Sequence, residues 1–485
     1  MTPARPGPAQ PPGPARRALL VTLCAVQFID AYDVAAMGPA LPRIQRELAM
    51  SPDALQWVVT AYVLGYGGFV LLGGRLADLA DRKRLLIGAL AVFAAVSAVG
   101  GAATAGWLLI AARLVKGITA AFTAPVSLAI LLHIRQDENA RNKALGAYLS
   151  MAAVGFTSGL VLGGVLATVT WRLVLLIPAG LALAAVIAAA RIVPDDQGRT
   201  RREREPVDLL GAVTVTSGLM ALVYGVSRAS ASGWGDDITV SSLAVSAALL
   251  VIFVGIQRSR RVPLVRLEIF TRPGLSQANV FIFLLQGGYV GWQFIATLFL
   301  QNADHWSPIA VGLIFVPTGV MALATARRWA ALVGKTGPWP IASAGILLML
   351  AGYLWTLQLG RLNNLLVFGL ASVVMGTGYA MSYSAANITA VTGARPEERG
   401  MASGIFIAAF QIGGGVILGV VASVFATHYT HHPGLDAYRW AIVTTAVTAA
   451  LATLVSITGM IRHNRRASPP VRSRSQTDSC SSRRA

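Results

Sequence analysis

Two acids and two bases stand inside long apolar runs of this sequence: Asp30 and Asp33 in one run, Arg113 and Lys116 in another. A charge at the centre of a bilayer costs at least ~2.5 kcal/mol, so charges in such runs are functional candidates first. Each pair is spaced i, i+3, which puts both members near one helix face, about one turn apart. Two chemistries fit a set that balances to zero. The four side chains could form an ion-pair cluster that locks two packed helices. Alternatively, a carboxylate raised in proton affinity by desolvation and lowered by a nearby cation can exchange a proton near neutrality. Arg113 does not deprotonate, so its part would be to hold or release the acid. Lys116 either neutralises Asp30 or meets an anionic group on a substrate.

Other residue sets suggest contact rather than ionisation. Gly155, Gly159 and Gly163 recur every fourth residue, followed by Gly164, a smooth stripe on which another helix can pack closely. Gly413, Gly414, Gly415 and Gly419 form a comparable set. Gln27, Gln286, Tyr289, Trp292, Gln293, Tyr379, Tyr383 and Asn387 are polar or amphipathic side chains within apolar runs. Such rings offer apolar area with one polar tip, which suits a cavity for lipophilic molecules, and they suit helix packing as well. His428, His431 and His432 fall in a loop with no acidic partners, and no metal site is expected there.

The elements that must position these residues are membrane helices. The 485 residues are 55% hydrophobic and 13% charged, where a soluble chain carries about 25% charged residues. The apolar residues run in continuous blocks of about 20, the length of a spanning helix. No water is available to backbone amides in the bilayer core, which leaves helices as the folded form of such runs. Fourteen spans are expected: 18–41, 54–74, 85–104, 107–132, 144–169, 173–193, 208–228, 239–257, 275–300, 308–330, 339–359, 363–390, 400–427 and 438–461. With that register, 32 of the 40 Lys and Arg residues lie on the side of the two termini and 6 on the other. The positive-inside rule makes the richer side cytoplasmic, with both termini there. The net charge of +19 is spread through short loops between apolar runs, which argues against nucleic acid as a partner. Cys24 lies in the first run and Cys480 in the polar tail, so no disulfide is expected.

Charged breaks at 194–207 and 258–272 divide the chain into six, two and six spans. The expected organisation is a disordered cytoplasmic N-terminus over 1–17, a six-helix bundle over 18–193 and a linker with two extra spans over 194–274. A second six-helix bundle over 275–461 and a disordered basic tail over 462–485 follow.

These patterns resemble the major facilitator superfamily, in its fourteen-span drug:proton antiporter branch. After the second span, Gly74, Leu76, Ala77, Asp78, Arg82 and Lys83 fit the superfamily loop G-x-L-A-D-R/K-x-G-R/K-R/K, while Leu79 and Asp81 depart from it. Arg113 and Gly117 fit R-x-x-Q-G, with Lys116 in place of Gln. Gly155, Gly159, Gly163 and Gly164 fit the antiporter signature G-x3-G-P-x2-G-G, with Leu160 in place of Pro. Asp33 stands nine residues before Pro42, as in L-D-x-T-x-x-x-x-A-L-P, although Tyr32 and Ala35 replace Leu and Thr. Residues 56–62, Leu300 with Gln301, Ser307 with Pro308, and 399–404 are also similar to this branch.

The resemblance implies two bundles related by a pseudo-two-fold axis, with a cavity between them lined by the first and fourth helices and the two extra spans outside. It implies that Asp33 carries a proton with Arg113 as its partner, and that Gly74, Asp78 and Arg82 belong to a gate. Asp30, outside the pattern, is the next candidate for the proton after Asp33, or else balances Lys116, and all four charges are candidates for the coupling set. The expected function is proton-coupled efflux of small, lipophilic organic molecules such as drugs or antibiotics, by a monomer in the cytoplasmic membrane. Its partners would be substrate, protons and lipid, with no cofactor beyond the proton gradient. Uptake or exchange of a metabolite would use the same scaffold. A membrane-embedded transferase is disfavoured, because no loop is long enough for a catalytic domain and no metal or nucleotide motif occurs.

Overall fold

The computed structural model describes residues 13–134, 138–194, 208–260, 263–395, 398–431 and 434–467. Over these the chain is helical: α1 (Gly13–Glu47), α2 (Pro52–Leu79), α3 (Arg82–Gly101), α4 (Gly106–Ile134), α5 (Glu138–Val169), α6 (Leu173–Ile192), α7 (Leu209–Ser232) and α8 (Asp237–Ser259) come first. There follow α9 (Pro273–Leu298), α10 (Pro308–Ile314), α11 (Val316–Thr336), α12 (Pro338–Thr356), α13 (Asn364–Thr392), α14 (Arg399–His431) and α15 (Leu435–Ala467). Among the described residues thirteen stretches are long and apolar enough to cross a membrane, and α5 carries a shorter apolar segment over Val154–Val169, where a fourteenth span is expected from the sequence.

Local sequence sets several helix boundaries. Ser51 caps α2 by accepting from the Ala54 amide, with Pro52 in the first turn, where its missing N–H costs nothing. Asp81 caps α3 by accepting from the Arg84 amide at 3.0 Å. The span expected over 308–330 is broken at Phe315, between α10 and α11. Pro317 has no N–H to donate to the preceding turn, and the chain passes through tight turns, Phe315 to Gly312 and Thr318 to Phe315. The outermost helices run past the expected ends, α1 starting at Gly13 and α15 continuing through Ala467.

Helices α1 to α6 pack among themselves, as do α9 to α15. Small residues set the closest approaches. A Cβ at Gly155 would lie 2.5 Å from the Phe28 carbonyl, and one at Gly159 would lie 2.7 Å from that of Tyr32. At Gly163 it would collide with Ala36. The stripe on α5 therefore carries α1, successive glycines meeting successive turns. Gly164 faces Pro308 of α10, and Gly312 of α10 faces Leu160, so α5 also joins the two groups. On the other side of the seam α2 meets α14, where Gly415 approaches Val63.

The pair α7–α8 takes a more particular place than "outside the bundles". Helix α7 packs against both α2 and α14, one helix from each group. Thr216 donates to the Gly68 carbonyl at 2.6 Å and Ser423 donates to the Ala229 carbonyl at 3.3 Å. At the base of the pair, Asp208 caps α7 at the Gly211 amide (2.9 Å) and accepts from Gln257 (2.7 Å), whose own carbonyl takes the Val265 amide (3.0 Å).

Candidate functional site

The four charges converge where α1 and α4 cross. Asp33 is fully buried; Arg113 and Lys116 are at most 1% exposed, and Asp30 is 5% exposed. Asp33 receives both cations. Arg113 bonds to its Oδ2 at 2.5 Å, and Lys116 donates to its Oδ1. Each cation is held by further partners. Arg113 donates through Nε to the Val58 carbonyl at 3.0 Å and lies 4.4 Å from the centre of the Tyr62 ring. Lys116 donates to Ser97 Oγ at 2.8 Å and lies 4.6 Å from the centre of the Phe93 ring. Buried ions need such saturation, because the interior repays their lost hydration only through good geometry and complete hydrogen bonding.

This corrects the expected pairing, for Lys116 meets Asp33 and not Asp30. The partner of Asp30 is a neutral hydroxyl, Thr123 Oγ1, donating at 2.9 Å. The reason is antiparallel packing. Asp30 lies one turn toward the N-terminus of α1 from Asp33, so it meets α4 farther along, beyond Lys116. Thr123 and Ser97 escaped the sequence reading because hydroxyls are common in membrane helices and carry no distinguishing spacing alone. The signal was the face of α4 itself, on which Arg113, Lys116, Thr123 and Ser127 recur at helical intervals.

The second group presents aromatic and amide side chains. Tyr379 donates to Gln286 Oε1 at 2.8 Å. Its ring lies 5.1 Å from Tyr289 and 6.0 Å from Tyr383, which contacts Phe406 and Phe410. Phe156 of α5 reaches across to Tyr289, ring centres 6.4 Å apart. Gln27, Gln293 and Asn387 are partly exposed. Trp292 is a correction to the expected cavity set. It is fully buried within the second group, donates to Thr356 at 3.2 Å, and packs on Phe315 and Phe368. Its size and one donor satisfied by a neighbouring helix make it a core residue. An apolar groove of about 610 Å³ between α1, α5 and α6, lined in part by Cys24, Phe28 and Met151, contains none of the charged residues.

At the loop after α2, the side chain of Asp78 lies outside the described residues. Arg82 donates through Nε to the Ala77 carbonyl at 3.1 Å and so closes the end of α2. Asp81, the departure from the motif, is the α3 cap. Gly74 has open space where a Cβ would stand, so packing does not demand glycine there. His428 bonds to the Val424 carbonyl at 2.9 Å and stacks on Trp440; His432 lies outside the described residues.

Comparison with known proteins agrees with this architecture. A human organic anion transporter of known crystal structure superimposes with a TM-score of 0.63 at 17% identity, over 92% of this chain and 100% of that one, a likeness of fold. The cephamycin export protein of Amycolatopsis lactamdurans is 30% identical over 464 residues, 93% of each chain. The puromycin resistance protein of Streptomyces alboniger is 33% identical over 437 residues, 87% of this chain and 86% of that one. The family model described as Major Facilitator Superfamily matches residues 23–418. Two packed groups of apolar helices joined by the α7–α8 pair, that match and relatives similar along nearly their whole length lead to one conclusion: the chain belongs to the Major Facilitator Superfamily.

Proposed function

We propose that this chain exports small, lipophilic organic molecules of the drug and antibiotic class across the cytoplasmic membrane in exchange for protons. The observation that carries the reading is the buried set of Asp30, Asp33, Arg113 and Lys116 in a fold of long apolar helices. Keeping charge at that depth is costly, and a proton is a ligand that such a set can bind and release. The relatives named for cephamycin export and puromycin resistance support both the direction and the compound class. If proton and substrate favour opposite states of the set, entry of one drives exit of the other.

In this reading Arg113 fixes Asp33, and Gln27, Gln286, Tyr289, Gln293, Tyr379, Tyr383 and Asn387 supply contact with substrate. The stripe of Gly155, Gly159, Gly163 and Gly164 gives α1, α5 and α10 a smooth contact. Gly74, Asp78 and Arg82 act at a gate on the cytoplasmic side. Asp78→Ala should impair transport while leaving equilibrium binding of the compound intact; loss of binding in a folded variant would remove Asp78 from the gate. The transporter works as a monomer, with both termini cytoplasmic.

Two experiments test the reading. Cells expressing the chain should tolerate more of at least one compound in a panel including cephamycin, puromycin and lincomycin, and everted vesicles should accumulate it when a pH gradient is imposed. A growth benefit on a metabolite with no change across the panel would favour uptake instead. For orientation, Ser232→Cys in a chain lacking Cys24 and Cys480 should react with an impermeant thiol reagent in intact cells. Labelling only after lysis would reverse the topology.

A further inference from the structure

The two buried acids are not equivalent, and their surroundings divide two tasks between them. Asp33 binds Arg113 and Lys116, one cation on each carboxylate oxygen. Protonating Asp33 would leave two cations, at most 1% exposed, facing a neutral acid. Removing one member of a buried ion pair is among the most costly changes a protein interior can undergo. Asp30 has no cation in bonding contact among the described residues; its oxygen Oδ2 receives only the Thr123 hydroxyl.

Thr123 is also built to follow a change of state. Its Oγ1 stands 2.9 Å from Asp30 Oδ2 and 3.2 Å from the Ala120 carbonyl. With Asp30 ionised, the hydroxyl donates to the carboxylate. With Asp30 protonated, the acid donates to Oγ1 and the hydroxyl turns to the Ala120 carbonyl. A hydroxyl is both donor and acceptor, so neither state leaves a buried polar atom unpaired. The titratable and charged groups around Asp30 are Asp33 on its own helix, Lys116 on α4, Tyr62 and Tyr66 on α2, and Tyr148 on α5. Phenols are uncharged in the physiological range, and Lys116 is already committed to Asp33 and Ser97. Beyond Thr123 the polar face of α4 continues to Ser127, 2.7 Å from Tyr148 OH, toward the C-terminal end of that helix.

We propose that Asp30, switched through Thr123, carries the exchangeable proton, while Asp33 stays ionised as the fixed anchor of Arg113 and Lys116. This rests on the proton-exchange reading above and assigns its two acids. The balance is simple: Asp30 gains one proton from the solvent on one face, the set goes from net zero to +1, and the same proton leaves to the other face. No other bond changes except the turn of the Thr123 hydroxyl.

Infrared pH-difference spectra of the purified protein in detergent test the assignment with the proton alone as the probe. The wild-type protein should show a titrating carbonyl band of a buried carboxylic acid. Asp30→Asn should delete that band, and Asp30→Glu should keep a band at a displaced frequency. Thr123→Val removes the donor to the ionised form and should move the midpoint toward alkaline pH by about one unit, the size of one hydrogen bond to a charged group. Thr123→Ser should restore it. A full band in Asp30→Asn, no titrating band in the wild type, or an unmoved midpoint in Thr123→Val would each overturn the assignment. Because no transported compound is used, failure of the export reading would not alter these spectra. A normal band in a protein that never moves a compound with a pH gradient would refute coupling and leave the proton site standing.

Discussion

The two six-helix groups share a packing logic but differ in where they place polarity. In the first, four charges sit at the crossing of α1 and α4, saturated by Val58, Ser97 and Thr123. In the second, the corresponding polarity is neutral, a ladder of Tyr289, Tyr379 and Tyr383 with the amide of Gln286. Both use glycine for close helix contact: Gly159 meets the backbone of α1, and Gly413 meets Phe283 of α9. What differs is the kind of ligand each surface suits. A buried acid free of a direct cation contact, beside an ion-paired anchor, suits a proton, whereas packed rings tolerate many shapes of lipophilic molecule. On the reading proposed above, energy coupling belongs to the first group and compound preference to the second.

The largest expected effect comes from breaking the charged side of this comparison. Arg113→Ala leaves Asp33 with Lys116 alone and should cost about 3–5 kcal/mol of stability, with loss of pH-driven transport in vesicles. Unchanged thermal stability and transport would mean that the cluster is dispensable. Next is the glycine contact. A Cβ at Gly159 would stand 2.7 Å from the Tyr32 carbonyl, so Gly159→Leu should separate α1 from α5 and cost about 1–3 kcal/mol. Gly74→Ala, with open space at that position, should be tolerated; a thermal-shift comparison of the two variants decides the point.

A smaller effect should appear on the neutral side. Tyr379→Phe removes the donor to Gln286, a change of about 1 kcal/mol or several-fold in affinity. It should alter the ranking of compounds in a resistance panel while proton coupling persists. Equal loss across all compounds together with loss of coupling would erase the distinction between the groups. The smallest effect belongs to neither group. Arg228 bonds Asp236 at 2.9 Å and, with the Thr239 amide, holds its carboxyl below the usual carboxylate range. A depressed folded-state value means that this contribution is present above the unfolded value, about pH 4, and is lost as pH falls through the folded one. Asp236→Asn should therefore flatten a slight acid-side loss of stability in the α7–α8 pair and leave transport unchanged, as melting curves across acidic pH would show.

The sequence made the architecture legible because bilayer length and loop charge constrain it twice. Fourteen apolar runs could be placed, and the alternation of basic residues tested their register. The charged cluster was legible for the same reason, since Asp30, Asp33, Arg113 and Lys116 stand out against apolar neighbours. Their pairing was harder, because i, i+3 spacing fixes a shared face but not which acid meets which base. Antiparallel geometry contained the answer: moving from Asp33 back to Asp30 on α1 means moving from Lys116 on to Thr123 on α4. Trp292 was misjudged because an aromatic ring in an apolar run reads alike whether it faces a cavity or Phe315 and Phe368. The break at Phe315 was hidden by continuous hydropathy across 308–330, although Pro317 marked it.

The central claim is that the α1–α4 cluster exchanges protons against an exported compound. Its most direct test is proton release from the purified protein in detergent on adding a panel compound that expression makes cells resist. Wild type should release protons into weakly buffered solution as the compound binds. Asp30→Asn should bind the compound and release fewer protons, and Tyr379→Phe should still release them for the compounds it binds. Full release from Asp30→Asn with unchanged pH-driven transport would contradict the account and place the coupling outside this cluster.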